Sequence, residues 1–599
     1  MICQVILWNI LASAVILFCG AFFRVDFKKI VQNDWNLKEY DFIIVGSGSA
    51  GAVLANRLSE VNNWNILLLE AGQPGNIITA IPLMAPIFQV TPYNWNYTME
   101  KQDGICLGME DNTCAWPRGR ALGGSTVINY VIYTRGNPID YKRWSDEGNP
   151  GWSYEEVLPY FLKSENCDIG SLCDSKYHNR GGYLNVEYPY ASILSKQFYK
   201  AGLEMGSKYV DYNTEDYLGY SRIQANLRRG RRDSVATAFL YPILQRPNLR
   251  ILTSARVTKV LINEDKLAYG VEFYRRGKKY TVTAKKEVIL SAGAFHSPQL
   301  LMLSGVGPAE HLQELDIPLV KNLPVGKSLK DHVTYLGLIF KMNVTVNNKF
   351  SIFSPQEVLN YLLRGKGGYA SLGGVESLAY IKTKGSKTPE NYPDIELMLS
   401  GIGSLEADYG LISRRELRIR EEVYDKFFRP LELTPTFAIL PILLHPKSNG
   451  FLKLRSKNPL DRPLLYGNFY TDQENADLKT MIAAVRYIQQ LTQTEAFRAL
   501  DATPNTIPVP NCEVYEFDSD SYWECALRTF SVTVHHQIST CKMGKVVDER
   551  LKVIGIKNLR VADTSVIPVT LSAHTSAPAM MLGEKTADII REDWNEKQS

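Results

Sequence analysis

The chain has 599 residues, 45% of them hydrophobic and 22% charged, so it can bury large cores and is neither disordered nor of low complexity. Its 67 basic and 63 acidic residues leave a formal net charge of only +4, which gives no case for nucleic acid or an acidic surface as the main partner. The length predicts more than one domain.

Residues 2–23 are almost wholly apolar, interrupted by Gln4 and Asn9, and are followed by Arg24 and Lys28-Lys29. This predicts a secretory signal peptide over residues 1–21, with Cys19-Gly20-Ala21 as the small-residue cleavage site. No Lys or Arg precedes the apolar stretch, and an uncleaved anchor is the competing reading, because about 20 apolar residues span a bilayer. Either way the body lies outside the cytosol. A cleaved leader makes it a secreted protein with no stable membrane partner. Of nine cysteines, Cys3 and Cys19 lie in the leader and six fall into local pairs: Cys106/Cys114, Cys167/Cys173 and Cys512/Cys525. Such short loops suit disulfides in an oxidising compartment, with Cys541 left over. No CxxC occurs, which argues against a zinc site; no metal is expected. Asn96-Tyr97-Thr98 and Asn343-Val344-Thr345 are glycosylation sequons on a secretory route.

Tyr40-Asp41-Phe42-Ile43-Ile44-Val45 reads as a buried parallel strand. A glycine turn, Gly46-Ser47-Gly48-Ser49-Ala50-Gly51, follows it, then a helix with small residues at Ala52, Val53 and Ala55. Asn65-Ile66-Leu67-Leu68-Leu69-Glu70 is the next strand, completing one βαβ unit. In that context the G-x-G-x-x-G spacing is a dinucleotide fingerprint. Gly46 permits the tight turn, Gly48 lets the backbone approach a pyrophosphate, and Gly51 allows close helix–strand packing. Ser49 opens the helix whose N-terminus faces the phosphates, and Glu70 accepts from a ribose hydroxyl. The unit alone does not separate FAD from a nicotinamide cofactor.

Two later stretches extend the pattern, with a basic run between them. Pro117-Arg118-Gly119-Arg120-Ala121-Leu122-Gly123-Gly124-Ser125-Thr126-Val127-Ile128-Asn129 pairs glycines with small hydroxyl residues, as suits a backbone close to a flat cofactor. Arg228-Arg229-Gly230-Arg231-Arg232, the densest basic run, reads as a solvated loop. Glu287-Val288-Ile289-Leu290-Ser291-Ala292-Gly293-Ala294-Phe295-His296-Ser297-Pro298 reads as strand, turn and helix, with Pro298 in a first helical turn.

With Leu323-Pro324-Val325-Gly326-Lys327-Ser328-Leu329-Lys330-Asp331-His332, the block His536-Gln537-Ile538-Ser539-Thr540-Cys541-Lys542-Met543-Gly544, the run Arg560-Val561-Ala562-Asp563-Thr564-Ser565-Val566-Ile567-Pro568, and His574, these motifs resemble those of the GMC (glucose–methanol–choline) oxidoreductases, in the family's order from about residue 40 to 590. The Cys-Lys-Met-Gly ending resembles the secreted insect-type branch that includes glucose dehydrogenases and ecdysone oxidases.

The resemblance implies an α/β FAD-binding, Rossmann-like domain of the GMC type. Beside it would stand an α+β substrate domain with an antiparallel sheet, to which Phe437-Ala438-Ile439-Leu440-Pro441-Ile442-Leu443-Leu444 and Gly450-Phe451-Leu452-Lys453-Leu454 would contribute strands. The FAD-binding domain would be discontinuous, 37–150, 240–330 and 540–599, with 151–239 and 331–539 forming the substrate domain. Gly46, Gly48, Gly51 and Glu70 would hold the ADP half of one FAD. Gly123, Gly124, Ser125 and Asn129 would lie along the ribityl chain and ring, Val257 at the adenine, and Asp563 near the pyrophosphate–ribityl region. Ile128 stands where covalently flavinylated members have histidine, so the FAD would be non-covalent. His536 would be the base that takes the hydroxyl proton as hydride leaves carbon, and His574 would hold the substrate oxygen. His535 would face away from the flavin, and His296 and His332 would be structural. Ser539 departs from the glycine usual at its position.

The implied reaction is oxidation of a small-molecule alcohol, with O2 or a quinone as acceptor. An ecdysteroid 3-hydroxyl with O2 is the first expectation, a glucose-type sugar or aryl alcohol with a quinone the second. A non-redox lyase on the same fold, or a flavin carrier without turnover, would be a different class.

Overall fold

The computed structural model describes residues 38–344, 354–401, 410, 412–432 and 434–595. The expected leader and its anchor alternative lie outside the described residues, as does Thr345 of the second sequon. Among the described residues no helix is long and apolar enough to cross a membrane.

Strand Glu39–Val45 is the centre of the first large sheet. Its residues 42–45 are buried, as a strand covered on both faces must be. It pairs in parallel with Ile66–Leu69 on one side and Lys278–Leu290 on the other. Leu249–Leu252 extends the parallel part beyond Ile66–Leu69, and Leu559–Val561 pairs in parallel with the end of Lys278–Leu290. The long strand changes partners along its length: its first half pairs antiparallel with Ala268–Arg275, which pairs antiparallel with Ala255–Ile262. Helix Ser49–Leu58 covers this sheet. The C-terminal helix Ser576–Asp593 packs on it so closely that a Cβ at Gly583 would sit 2.7 Å from the Ala50 carbonyl. A buried Arg57–Glu584 ion pair at 2.7 Å pins the two together.

The second large sheet is antiparallel, ordered Thr503–Pro504, Ile339–Lys341, Thr436–Leu443, Ile395–Ser400, Val375–Ile381, Gly219–Arg222. Val333–Tyr335 joins it through Thr436–Leu443 and also pairs with Ser531–Thr533. The run from Phe437 is therefore a strand of this sheet, as expected. Phe451–Lys453 is not: it pairs only with Leu464–Tyr466 in a separate two-stranded ribbon.

Two local expectations change. The basic run forms a two-strand turn, Leu227–Arg228 against Arg231–Arg232, and Arg232 is buried at 4% exposure. Its guanidinium turns inward to the carbonyls of Thr79, Thr126 and Asn129, an inversion that residue composition could not signal. Pro298 lies inside helix Gly293–Leu303 instead of its first turn. A proline removes the bond that would reach the carbonyl four residues back. That carbonyl, of Ala294, instead accepts from Thr540 Oγ1 at 2.7 Å, so the helix is tied to the C-terminal block where its own ladder is interrupted.

The three expected cysteine pairs are disulfides, and Cys541 is a buried free thiol. The Cys512–Cys525 bridge closes a loop that exposes Val514, Tyr515 and Phe517. A loop of this length contributes about 3 kcal/mol by restricting the unfolded chain. Replacing both cysteines by serine should accelerate native-state cleavage by chymotrypsin at Tyr515 or Phe517. Unchanged cleavage would show that the loop is held by packing alone.

Candidate active site

The glycine turn and the second glycine pair meet. A Cβ on Gly124 would lie 2.7 Å from Gly48 Cα, and Gly123 N–H donates to Ser47 Oγ at 3.1 Å. Gly46, Gly123 and Gly124 have φ of 95°, 104° and 55°, which favours glycine at each. A Cβ on Gly51 would sit 2.0 Å from the Gly46 carbonyl, so the helix can approach the turn only without a side chain. Gly48 differs: a Cβ there meets nothing within 4 Å. It caps helix Ser49–Leu58 without offering a side-chain acceptor, so the helix N-terminus presents its N–H groups and positive dipole to open space. These features fit the phosphates of a dinucleotide.

Glu70 is buried beside this turn, and burial pushes its carboxyl pKa up. It accepts from Ser47 N–H, Ser47 Oγ and Gly72 N–H at 3.0, 2.7 and 2.7 Å. A carboxylate has about four acceptor sites, so one remains for a ribose hydroxyl. Ser125 Oγ accepts from Gly119 N–H, and Asn129 Oδ1 accepts from Val131 N–H and Arg232. Val257 lies half-buried on Ala255–Ile262, the antiparallel edge strand of the first large sheet. Asp563 serves a second helix: its Oδ2 accepts from Gly293 N–H at 2.9 Å and Ser297 Oγ at 2.6 Å, and its Oδ1 from Ser565 N–H. Helix Gly293–Leu303 is thus capped by a carboxylate from the far end of the chain, whereas Ser49–Leu58 is left bare.

The antiparallel pair Val333–Tyr335/Ser531–Thr533 brings two distant motifs together. Val333 faces Thr533, so His332 and the residues after Thr533 share one strand end. Asp331 Oδ1 accepts from His332 N–H and His536 N–H at 2.9 and 2.8 Å, while Oδ2 accepts from Gln537 Nε2. Burial raises the Asp331 pKa to about 7, against the opposing charge of Arg118. His536 Nδ1 lies 3.0 Å from His332 Nδ1, and the His536 ring is 4.6 Å, centre to centre, from that of His574. His574 N–H donates to Thr134 Oγ1, and its Nε2 is 3.0 Å from Glu396 Oε1.

His535 does not share this site. Its φ of 65° breaks strand alternation, its ring turns to Thr533 Oγ1 at 2.9 Å, and its carbonyl accepts from Arg118. Ser539 also has a positive φ, 72°, a conformation that favours glycine. Its hydroxyl donates to the Ile567 carbonyl at 2.6 Å, which offsets part of the left-handed strain.

Burial, reinforced by His574, His332, His535 and Arg118, holds the His536 imidazole well below its ordinary pKa. The ring therefore stays neutral and able to accept a proton as pH falls through 6.5, the ordinary imidazole value. We expect kcat/KM to stay level across that pH, and a descending acid limb centred there would show that His536 titrates freely.

Sequence reasoning did not single out Glu396 and placed His332 among structural residues; the structure sets them against the His574 and His536 rings. A signal for Glu396 existed: it is the one charge in the otherwise apolar strand Ile395–Ser400, and a carboxylate buried to 1% exposure needs a partner.

Comparison with known proteins agrees with this architecture. The GMC oxidoreductase models match residues 40–334 and 446–583. The chain is 38% identical over 570 residues to a glucose dehydrogenase [FAD, quinone] of Drosophila melanogaster, covering 93% of this chain and 88% of that one. It is 34% identical to an ecdysone oxidase of Bombyx mori, over 94% and 83% of the two chains. The crystal structure of pyridoxine 4-oxidase from Mesorbium loti superposes with a TM-score of 0.77 at 26% identity, over 94% of this chain and 100% of that one. With family models matching both the stretch that holds the glycine cradle and the stretch that holds the paired imidazoles, this chain belongs to the GMC oxidoreductase family and is an FAD-dependent oxidoreductase acting on CH–OH groups.

Proposed function

We propose that His536 is the base that removes the alcohol proton and that His574 holds the substrate oxygen beside it. The observation that carries this is the pair of imidazoles 4.6 Å apart, each braced from behind, one by His332 and the other by Glu396. Bound FAD supplies the hydride acceptor. His536 is neutral and takes the hydroxyl proton as carbon loses hydride. Glu396 accepts the His574 Nε2–H, which fixes that ring; because the alcohol's one proton goes to His536, His574 would hold the oxygen by donating an Nδ1–H. Gly46, Gly48, Ser49, Gly51 and Glu70 hold the ADP half of the cofactor. Gly123, Gly124, Ser125 and Asn129 line its flavin half, with Val257 and Asp563 at the adenine and the pyrophosphate–ribityl region. Ile128, an aliphatic residue, supports non-covalent attachment. The division into an FAD-binding part (37–150, 240–330, 540–599) and a substrate part (151–239, 331–539) follows the two large sheets. Secretion is supported by three disulfides and by Asn96, exposed in its sequon.

For the substrate we favour a sugar-type hydroxyl with a quinone acceptor, since the similarity to the glucose dehydrogenase is higher than that to the ecdysone oxidase. The ecdysteroid reading has its own support. Met398 lies two residues past Glu396 on the same strand face, and Met398, Tyr130 and Val534 are each half-buried against the same buried apolar cluster, which includes Tyr212 and Tyr380. Anaerobic addition of glucose, ecdysone or an aryl alcohol to the yellow holoenzyme separates these, by which one bleaches the flavin band. Bleaching by none of them would favour the lyase reading, and a colourless protein would remove the cofactor assignment.

A further inference from the structure

We propose that Thr134 and Asp140 are positioning residues for His574: together they grip the main chain that carries it, so that its ring meets the substrate oxygen in one orientation. This rests on the reading of His574 as the residue that holds that oxygen.

Residues 570–574 lie between the short helix Thr564–Val566 and helix Ser576–Asp593, in neither helix nor strand. Their N–H groups therefore have no ladder, and buried ones need acceptors from elsewhere. One stretch of chain supplies two of them. Thr134 Oγ1 accepts the His574 N–H at 2.7 Å, and Asp140 Oδ2 accepts the Ser572 N–H at 2.8 Å. Both acceptors are buried. Gly136, between them, turns the chain at a φ of 103°, and a Cβ built on it would already touch Ala573 Cβ at 3.6 Å. The stretch thus lies against the segment that it grips.

Asp140 also completes a capping box with Asn137 at the start of helix Pro138–Asp146, but that uses only one of its bonds. A buried carboxylate is costly unless its lone pairs are filled. Its about four acceptor sites are all taken. Oδ2 accepts from Asn137 N–H and Ser572 N–H, and Oδ1 from the Tyr392 hydroxyl at 2.6 Å and the Ser572 hydroxyl at 3.3 Å. Half of its bonding is therefore spent on Ser572, two residues from His574. His445 tightens the same segment, with Nε2 3.2 Å from Ser572 Oγ and Nδ1 3.2 Å from Thr570 Oγ1.

The far end of the ring is held from another element. Glu396, on strand Ile395–Ser400, lies 3.0 Å from His574 Nε2. One hydrogen bond at the ring tip leaves the imidazole free to swing about it. With the main chain also held, the ring is pinned at both ends and Nδ1 has one direction. A displacement of about 1 Å in such a site costs about 10²-fold in rate.

The test compares Asp140→Ala, His574→Ala and the double variant, each purified with its FAD. The reading is the rate of anaerobic flavin reduction by whichever of glucose, ecdysone and benzyl alcohol reduces the unaltered enzyme. Asp140→Ala should keep its FAD yet be reduced roughly 10–10²-fold more slowly at saturating alcohol. Because Asp140 acts through His574, the double variant should be no slower than His574→Ala alone. Asp140→Asn, whose amide oxygen can still accept the Ser572 N–H, should restore the rate to within a few-fold. A full rate in Asp140→Ala overturns the proposal. So do losses that multiply in the double variant, which a general loosening of the fold would give. If Asp140→Ala does not fold, Thr134→Val, close in shape but without the acceptor, carries the same cycle with His574→Ala. Failure of the underlying reading looks different: His574→Ala alone would then be reduced at the full rate, or no alcohol would reduce the flavin, and the proposal would fall with it.

Discussion

His536→Ala is expected to lower kcat by roughly 10²–10⁴ while the protein still purifies with its FAD, the usual worth of a positioned general base. The expectation of retained cofactor comes from geometry. The contact His536 makes with the chain through its main chain, N–H to Asp331, survives in alanine. The glycine cradle and Glu70 belong to other elements. His574 has its Nε2 engaged by Glu396, so loss of His536 leaves no second imidazole with both ring nitrogens open. Single-turnover flavin bleaching in the absence of oxygen is the measurement, since it isolates the chemical step from reoxidation. Bleaching at the unaltered rate would remove His536 from the proton transfer and turn attention to His574. Loss of flavin on purification would instead mean that the imidazole is part of the cofactor's binding site.

Gly48→Val is expected to fold yet to purify without FAD. The neighbouring glycine shows why the two outcomes separate. At Gly51 an added Cβ would overlap the Gly46 carbonyl at 2.0 Å, so Gly51→Ala should damage the turn itself. At Gly48 an added Cβ meets nothing of the protein within 4 Å, and φ there is −70°, which any residue adopts. Valine therefore fits the chain and occupies the space where the pyrophosphate must approach the backbone. The checks are the 450 nm flavin absorbance per protein (about the usual flavin maximum) and the circular dichroism of the two variants. Gly48→Val with full flavin would mean that the cofactor does not pass over this turn. Gly51→Ala that folds and binds FAD normally would show that the turn can open.

The parts of this protein legible in its sequence are those whose function is set by neighbours in the chain. Gly46, Gly48 and Gly51 are needed by one turn, between a strand and a helix that their own apolar patterns announce. The cysteine pairs lie close enough along the chain for proximity to suggest them. The family's motif order supplied His536 and His574 as the expected pair. What the tertiary structure alone decided is which side chain stands behind each of them. His332 is 204 residues from His536 and Glu396 is 178 from His574, and sheet register brings both together. Nothing local to Glu396 beyond an unexpected charge in an apolar strand pointed to His574. The buried Arg232 in a run read as solvated has the same origin: three carbonyls from distant turns converge on it, and a guanidinium is drawn inward by acceptors that its own neighbours do not contain. Backbone conformation depends on the residue and those beside it, so sequence reports it; the protonation state and orientation of an active side chain depend on partners chosen by packing, so only the folded chain reports them.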